Sequence, residues 1–391
     1  MKAKNNLIFS LLAFTLAAGS CNDGPKGDGT LTFTDNGANK VTICHVENIK
    51  EKETIPLSSL IEDFHIIRFE ETDEALFKSW VTTITDKYIG IRQDAGPFKL
   101  FNHDGKFLSD IGSVGNGPGE YNYLYDEYID DKEDRIYLLP FANSKKIQVF
   151  DTDGNFKQDI DLKHNLNKPK MQITEEGNLA LVHLAFFKEN DSEKQFLALQ
   201  AAKDGSVLHE YTPGPSQLVN FFDKEGRATG FNMEMFSGRN TPAFDFFNTG
   251  IDTLYHYDTK TNSVLPVFTA MFPGKETDSY HLYYELPGYY VVGIYNYKKN
   301  TSSMIGVNKK EETSRTIRIK NDFMGGLELP SFTFNRGWYL QMFEPMELAE
   351  AIEKKLSQSD CQEAEKKQLK ELAETLHEND NNILFLGKLK Q

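Results

Sequence analysis

The chain has 391 residues, with 43 Lys and Arg against 58 Asp and Glu and a net charge of −15. This acidity disfavours nucleic acid and anionic surfaces as partners, because phosphate binding draws its affinity from clustered Lys and Arg, and no such cluster is present. Cys44 and Cys361 could pair in an oxidising compartment, but two cysteines more than 300 positions apart make no disulfide framework, and they are expected as two unpaired buried thiols.

At the N-terminus, Lys2 and Lys4 precede an apolar run from Leu7 to Ala18, and Gly19 and Ser20 follow. This is the three-part build of a secretory signal. The run is too short for a spanning helix, which needs roughly 20 residues, so residues 1–20 read as a removable signal. The segment Ala18-Gly19-Ser20-Cys21 resembles the lipobox of bacterial lipoproteins, where small residues fit the signal peptidase and the thiol accepts diacylglycerol. That resemblance implies lipidation of Cys21 and a membrane-anchored protein of the cell envelope, facing the periplasm or the cell surface. A chance cysteine after an ordinary cleavage site is the plainer alternative. Loss of Lys2 and Lys4 would take the charge from −15 to −17. Asn22 to Thr30 is rich in Gly, Asp and Pro and cannot offset its own ordering entropy, so residues 21–40 are expected to be a flexible tether.

The body beyond it repeats. Phe98–Ile111, Ile147–Leu162 and Phe196–Tyr211 each place an Asp-Gly turn between two β-rich runs, a strong hairpin signal because Gly takes the positive φ of tight turns. Weaker copies at Leu254–Phe268 and Met304–Ile319 have lost the Asp-Gly. The turns recur about every 50 residues, the spacing of four-stranded propeller blades. Further β-type runs precede the hairpins at Trp80–Arg92, Glu127–Leu139, Met171–Leu184 and Tyr289–Tyr297. Five blades are therefore countable. A sixth is assembled from Ser331–Phe343 with Val41–Glu47 and Phe64–Phe69, which closes the ring and hides sheet edges. The expected fold is all-β, a six-bladed β-propeller over residues 41–343.

From Glu344-Pro345 onward the pattern turns helical, with Ala349, Ile352 and Leu356 and then Leu369, Leu372, Ala373 and Leu376 at helical spacing. Ser359 with Gln362 is a candidate capping box. Residues 344–380 are expected to pack on the propeller rather than to bind a partner helix, and residues 381–391 to return as a closing strand.

Four features carry a resemblance to the six-bladed β-propeller lipoproteins of the Bacteroides group, related in layout to NHL-like and TolB-like propellers. They are the opening IPLSSLIEDFHIIRFEE (Ile55–Glu71), the segment DGKFLSDIGSVGNGPGEY (Asp104–Tyr121), the turn FDTDGNF (Phe150–Phe156) and the ending NDNNILFLGKLK. The resemblance implies a lipid-anchored ring, usually without an assigned activity, and it transfers no catalytic residue.

Candidate chemical sites are weak. Gly112, Gly115, Gly117 and Gly119 fit neither the dinucleotide fingerprint nor the P-loop and read as an interblade turn. Asp151, Asp153 and Asn155 open like a calcium loop, but Phe156 and Leu162 stand where Gly and Glu are needed. The acidic run Asp126, Glu127, Asp130, Asp131, Glu133 and Asp134 reads as a solvated blade edge, with cation binding as the alternative. His183 and His281 read as strand side chains, and no HExxH or GxSxG motif occurs. No cofactor or metal is implied.

The reading is a non-catalytic binding or scaffold module for a glycan, peptide or envelope protein. The alternative is a propeller enzyme, a polysaccharide lyase or hydrolase whose groups converge from different blades. Thr212–Gly250 interrupts the repeat, and an insertion of that size is functional or disordered. Arg227 and Arg239 with Phe231 and Phe236 are its candidate ligand-binding residues, expected at one mouth of the channel because guanidinium and aromatic faces suit sugars and carboxylates. The competing reading is that the phenylalanines of this stretch fill a blade core.

Overall fold

Six four-stranded antiparallel sheets follow one another round a central channel in the computed structural model. It describes residues 28–35, 39–141, 144–166, 168–182, 197–214, 235–248, 252–273, 279–327, 332–359 and 361–391, with isolated positions between 214 and 235. The expected signal, Cys21, His183, Arg227 and Phe231 lie outside the described residues.

Blades 1 to 3 are continuous in sequence. From the channel outward, blade 1 is Ser79–Ile84, Tyr88–Gln93, Phe98–Asn102 and Phe107–Ile111, and blade 2 is Leu124–Asp130, Arg135–Pro140, Ser144–Asp151 and Phe156–Leu166. Blade 3 is Lys170–Ile173, Asn178–Val182, Leu197–Ala201 and Val207–Tyr211. Blade 4 begins with the two-residue strand Met235–Phe236 and continues through Phe244–Asn248, Thr253–Asp258 and Ser263–Met271. Blade 5 is Ser279–Glu285, Tyr289–Asn296, Thr301–Asn308 and Thr313–Lys320. All five expected hairpins are present, but Tyr289–Tyr297 supplies one strand, paired with Ser279–Glu285, rather than two.

Blade 6 joins both ends of the chain. Thr333–Asn335 and Trp338–Phe343 precede the helices, Ile383–Lys388 follows them, and His65–Arg68 adds the outer strand. The expected contribution of Val41–Glu47 to this blade is corrected. Lys40–His45 instead runs parallel to the outer strand of blade 4, with Cys44 opposite Ala270, and so covers that edge. Leu31–Asp35 pairs with it in turn, so ordered structure begins inside the span expected to be tether, where alternating Leu31 and Phe33 make a strand possible. Lys52–Pro56 covers the edge of blade 5 in the same way.

The core lies between blades rather than within one central mass. Phe98 and Leu100 of blade 1 pack with Ile129, Ile136 and Leu138 of blade 2, whereas Ile89, Ile91 and Phe101 pack with Leu384 and Leu386 of blade 6. Strands inside a blade thus bury both faces, which explains near-continuous apolar stretches such as Ile383–Phe385.

The hairpin turns lock neighbouring blades. Gly154 has φ of +85°, and a Cβ there would collide with the carbonyl oxygen of Asp110 on the outer strand of blade 1. Gly105 and Gly205 meet the carbonyls of Arg68 and Asp161 in the same way. In blade 4, Asn262 takes the positive φ and donates its amide to the Glu210 carbonyl at 2.7 Å. The lost Asp-Gly is therefore replaced by a residue that tolerates the same backbone and reaches the same kind of partner.

Helix α1 (Pro345–Leu356) and helix α2 (Glu363–Ala373) form an insertion between the second and third strands of blade 6. Leu348, Ile352, Leu369 and Leu372 are buried in one cluster with Ile55, Leu60 and Phe385, so the hairpin packs on the propeller as expected. The capping box is corrected to Gln362 with Glu365, because Glu363 is the first helical residue of α2 and the cap must immediately precede it. Cys44 and Cys361 are free and buried, and burial pushes the Cys44 thiol up to about 11.

Candidate functional site: the central channel

The inner strands all run the same way, which gives the channel an entry mouth at their first residues and an exit mouth at their last. The entry mouth opens into a cavity of about 650 Å³ bordered by Trp80, Tyr125, Phe236, Tyr284 and Phe334, with Glu347 of α1 at its rim. The exit mouth is larger, about 1000 Å³, and carries more carboxylates, among them Asp86, Asp131, Glu133, Glu175 and Asp258, than cations, Lys132 and Lys260 at its rim with Arg239 and Arg336. Arg239 borders both cavities and marks a waist between them.

Charged side chains from five blades meet at this waist. Asp126 Oδ2 accepts from Arg239 Nη2 at 2.6 Å and from the Met171 amide at 2.7 Å, while Lys170 Nζ lies 3.6 Å from Oδ1. Burial alone would raise the Asp126 carboxyl, but Arg239 and Lys170 outweigh it and hold the group below its ordinary range. Glu127 accepts from the Thr83 hydroxyl and faces Arg92 Nη1 at 3.4 Å. That ion pair is too poorly aligned for a hydrogen bond. Arg92 Nε and Nη1 and Glu127 Oε2 are all shut from solvent without a hydrogen-bond partner among the described residues. Arg336 donates to the Glu127 and Ile129 carbonyls and lies over the Tyr128 ring at 4.2 Å. Four cations thus face two carboxylates. Burial, with Arg92 and Arg239 nearby, pushes the Lys170 amine down, and burial next to Arg239 takes the Arg336 guanidinium down to about 10. Leaving buried donors unsatisfied costs about 1–3 kcal/mol each.

Arg239 is held there by its own loop. Both Arg239 and Arg336 take left-handed backbone, with φ of 52° and 54°, a conformation that persists in a non-glycine residue only when its surroundings over-determine it. Those surroundings are visible. The buried Asp245 carboxylate accepts the Arg239 and Gly238 amides at 2.9 and 3.2 Å and the Ser237 hydroxyl at 3.2 Å. The Arg336 amide donates to the Gly238 carbonyl at 2.7 Å, and Asn240 bridges the Phe334 carbonyl and the Gly337 amide. Burial raises the Asp245 carboxyl.

Of the residues expected to bind a ligand, the structure describes two. Phe236 is half-buried at the entry mouth, and Arg239 stands inside the channel with its side chain 8% exposed, ion-paired across it. Phe244, Phe246 and Phe247 are buried in blade 4, so these phenylalanines do fill a blade core. The reading of the acidic run as a solvated edge is corrected for Asp126 and Glu127, which are buried on the inner strand of blade 2. Strand alternation alone does not separate an outer face from a channel, and their cation partners lie as far away in sequence as Arg239. The apparent calcium loop is a hairpin in which Asp151 accepts the Asp153 and Asn155 amides. Among the described residues, no group of three or more His, Cys, Asp or Glu is placed to hold a metal ion. His281 is a strand side chain whose Nδ1 bonds Asp252 at 2.8 Å.

Several exposed apolar side chains lie at the entry ends of the blades, and Trp80 among them borders the cavity. Trp80, Tyr123 and Tyr280, at the starts of inner strands or just before them, are 49%, 50% and 52% exposed. Val114, Tyr297 and Met346 lie on connections at the same ends of the blades and are also exposed.

Residues 40–388 match the family model described as Domain of unknown function (DUF4934). The chain belongs to this family. A crystal structure from Bacteroides fragilis NCTC 9343, of a protein provisionally named as exported, superposes with a TM-score of 0.63 at 15% identity, covering 88% of this chain and 99% of that one. A DUF4221 family member from Bacteroides vulgatus ATCC 8482 gives a TM-score of 0.48 at 12% identity, over 85% of this chain and 98% of the other. The first likeness is one of fold. No curated protein matches the chain. No helix among the described residues is long and apolar enough to cross a membrane.

Proposed function

We propose that this DUF4934 member is a lipid-anchored, non-catalytic module of the cell envelope that captures a short glycan at the entry mouth of its channel. The carrying observation is that mouth itself. A cavity of about 650 Å³ is bordered by the half-exposed Trp80 ring together with Tyr125, Phe236 and Tyr284, and an exposed aromatic face of that kind stacks on a sugar face. The anchor rests on the signal-like N-terminus and Cys21, and an extracytoplasmic location is in keeping with the provisional name of the Bacteroides fragilis relative. Kinship with NHL-like and TolB-like propellers belongs to the same proposal and rests on the Asp-Gly turns.

The test has two arms. Screening the purified protein against an oligosaccharide array should give binders that Trp80→Ala weakens and that are recovered intact by mass spectrometry. Recovery of cleaved ligand, or binding indifferent to Trp80, would reject the reading in favour of the enzyme or another surface. Cys21→Ala should move the protein from the membrane fraction to the soluble envelope fraction, and unchanged retention would reject the anchor.

A further inference from the structure

We infer that the channel waist seats a carboxylate of the captured ligand, which makes that ligand an acidic sugar chain containing uronic acid. The inference rests on the glycan-capture reading and adds the substrate class. Its basis is a charge imbalance. Arg92, Lys170, Arg239 and Arg336 bring four positive charges against the two of Asp126 and Glu127, inside a chain whose net charge is −15. Asp126 is engaged by Arg239, Lys170 and the Met171 amide, and Glu127 by the Thr83 hydroxyl and by its ion pair with Arg92.

Of these cations, Arg92 is the one that brings two donors without a hydrogen-bond partner among the described residues, Nε and Nη1, to the entry cavity, with its Nη1 3.4 Å from Glu127 Oε2. Its side chain is 6% exposed. A guanidinium presents a planar fork that matches a carboxylate with two parallel hydrogen bonds. The Trp80 ring lies 5.1 Å from this guanidinium and is half exposed at the mouth, so a sugar stacked on Trp80 would hold its carboxylate towards Arg92. Carboxylates outnumber cations at the exit mouth, which makes the entry side the more favourable approach for an anion. The entry cavity is also bordered by Glu344 and Glu347 beside α1 and by Lys78 next to Trp80.

Isothermal titration of the purified protein with trigalacturonate, maltotriose and a triglutamate peptide tests the assignment. Trigalacturonate should bind, maltotriose should bind at least about tenfold more weakly, and the acidic complex should weaken as salt rises. Arg92→Lys keeps the charge but removes the fork, so it should lower trigalacturonate affinity about tenfold while leaving the melting temperature unchanged. Arg92→Gln should lower it further, and if that variant does not fold, Arg92→Lys carries the test. Equal affinity for maltotriose and trigalacturonate, insensitive to Arg92, would overturn the carboxylate site and leave the glycan-capture reading standing. Binding of triglutamate in preference to trigalacturonate would overturn the sugar assignment, and absence of binding at millimolar concentration by all three would overturn both readings.

Discussion

Gly154 shows how one residue serves the whole ring. Its positive φ and its contact with the Asp110 carbonyl leave no room for a side chain, so Gly154→Ala combines an unfavourable backbone region with displacement of the blade 1 strand. The expected cost is at least about 1–3 kcal/mol, measured as a lower urea midpoint with unchanged slope. No loss on substitution would contradict the locking role. The turn itself was legible in the sequence, because Asp-Gly between alternating apolar residues has a local cause. What the glycine touches was not legible, since Asp110 belongs to the preceding blade. Arg239 illustrates the same limit more strongly. Its residue type suggested a ligand contact, but its ion pair with Asp126 spans more than a hundred positions, and the Asp245 brace that fixes its backbone leaves no periodic trace in sequence.

Strands and helices were more legible, because each is set by local pattern. The five hairpins fall where the repeat placed them, and α1 begins at the Glu344-Pro345 junction, with Pro345 as its first residue. Pairing between distant strands was the harder part. Lys40–His45 reads as a competent strand wherever it docks, and only the uncovered edge of blade 4 decides its place. The strands at the two chain ends contribute unequally to the ring. Ile383–Lys388 lies between Trp338–Phe343 and His65–Arg68 in blade 6, so truncation after His377 removes an interior strand and opens the ring. That protein should lose its cooperative thermal transition in circular dichroism. Removal of Leu31–Asp35, which only covers an edge, should lower the melting temperature and keep the transition cooperative. If both truncations behaved alike, the closure described for blade 6 would be wrong.

At the scale of the whole molecule, the channel has two unlike ends, an aromatic entry mouth and an acidic exit mouth, separated by a cationic waist. Six inner strands running in the same direction produce this polarity, and the insertions carrying α1 and α2 emerge at the entry side. The sequence contains two tryptophans. Trp80 borders the entry cavity and Trp338 the exit cavity, so each reports one end. The most direct test of ligand capture at the entry mouth is a trigalacturonate titration followed by tryptophan fluorescence in two single-tryptophan proteins. With Trp338→Phe, emission from Trp80 should change saturably, and with Trp80→Phe, which keeps an aromatic ring at the mouth and whose binding is checked by isothermal titration, emission from Trp338 should stay constant. A saturable change confined to Trp338 would place the ligand at the opposite mouth and contradict the account.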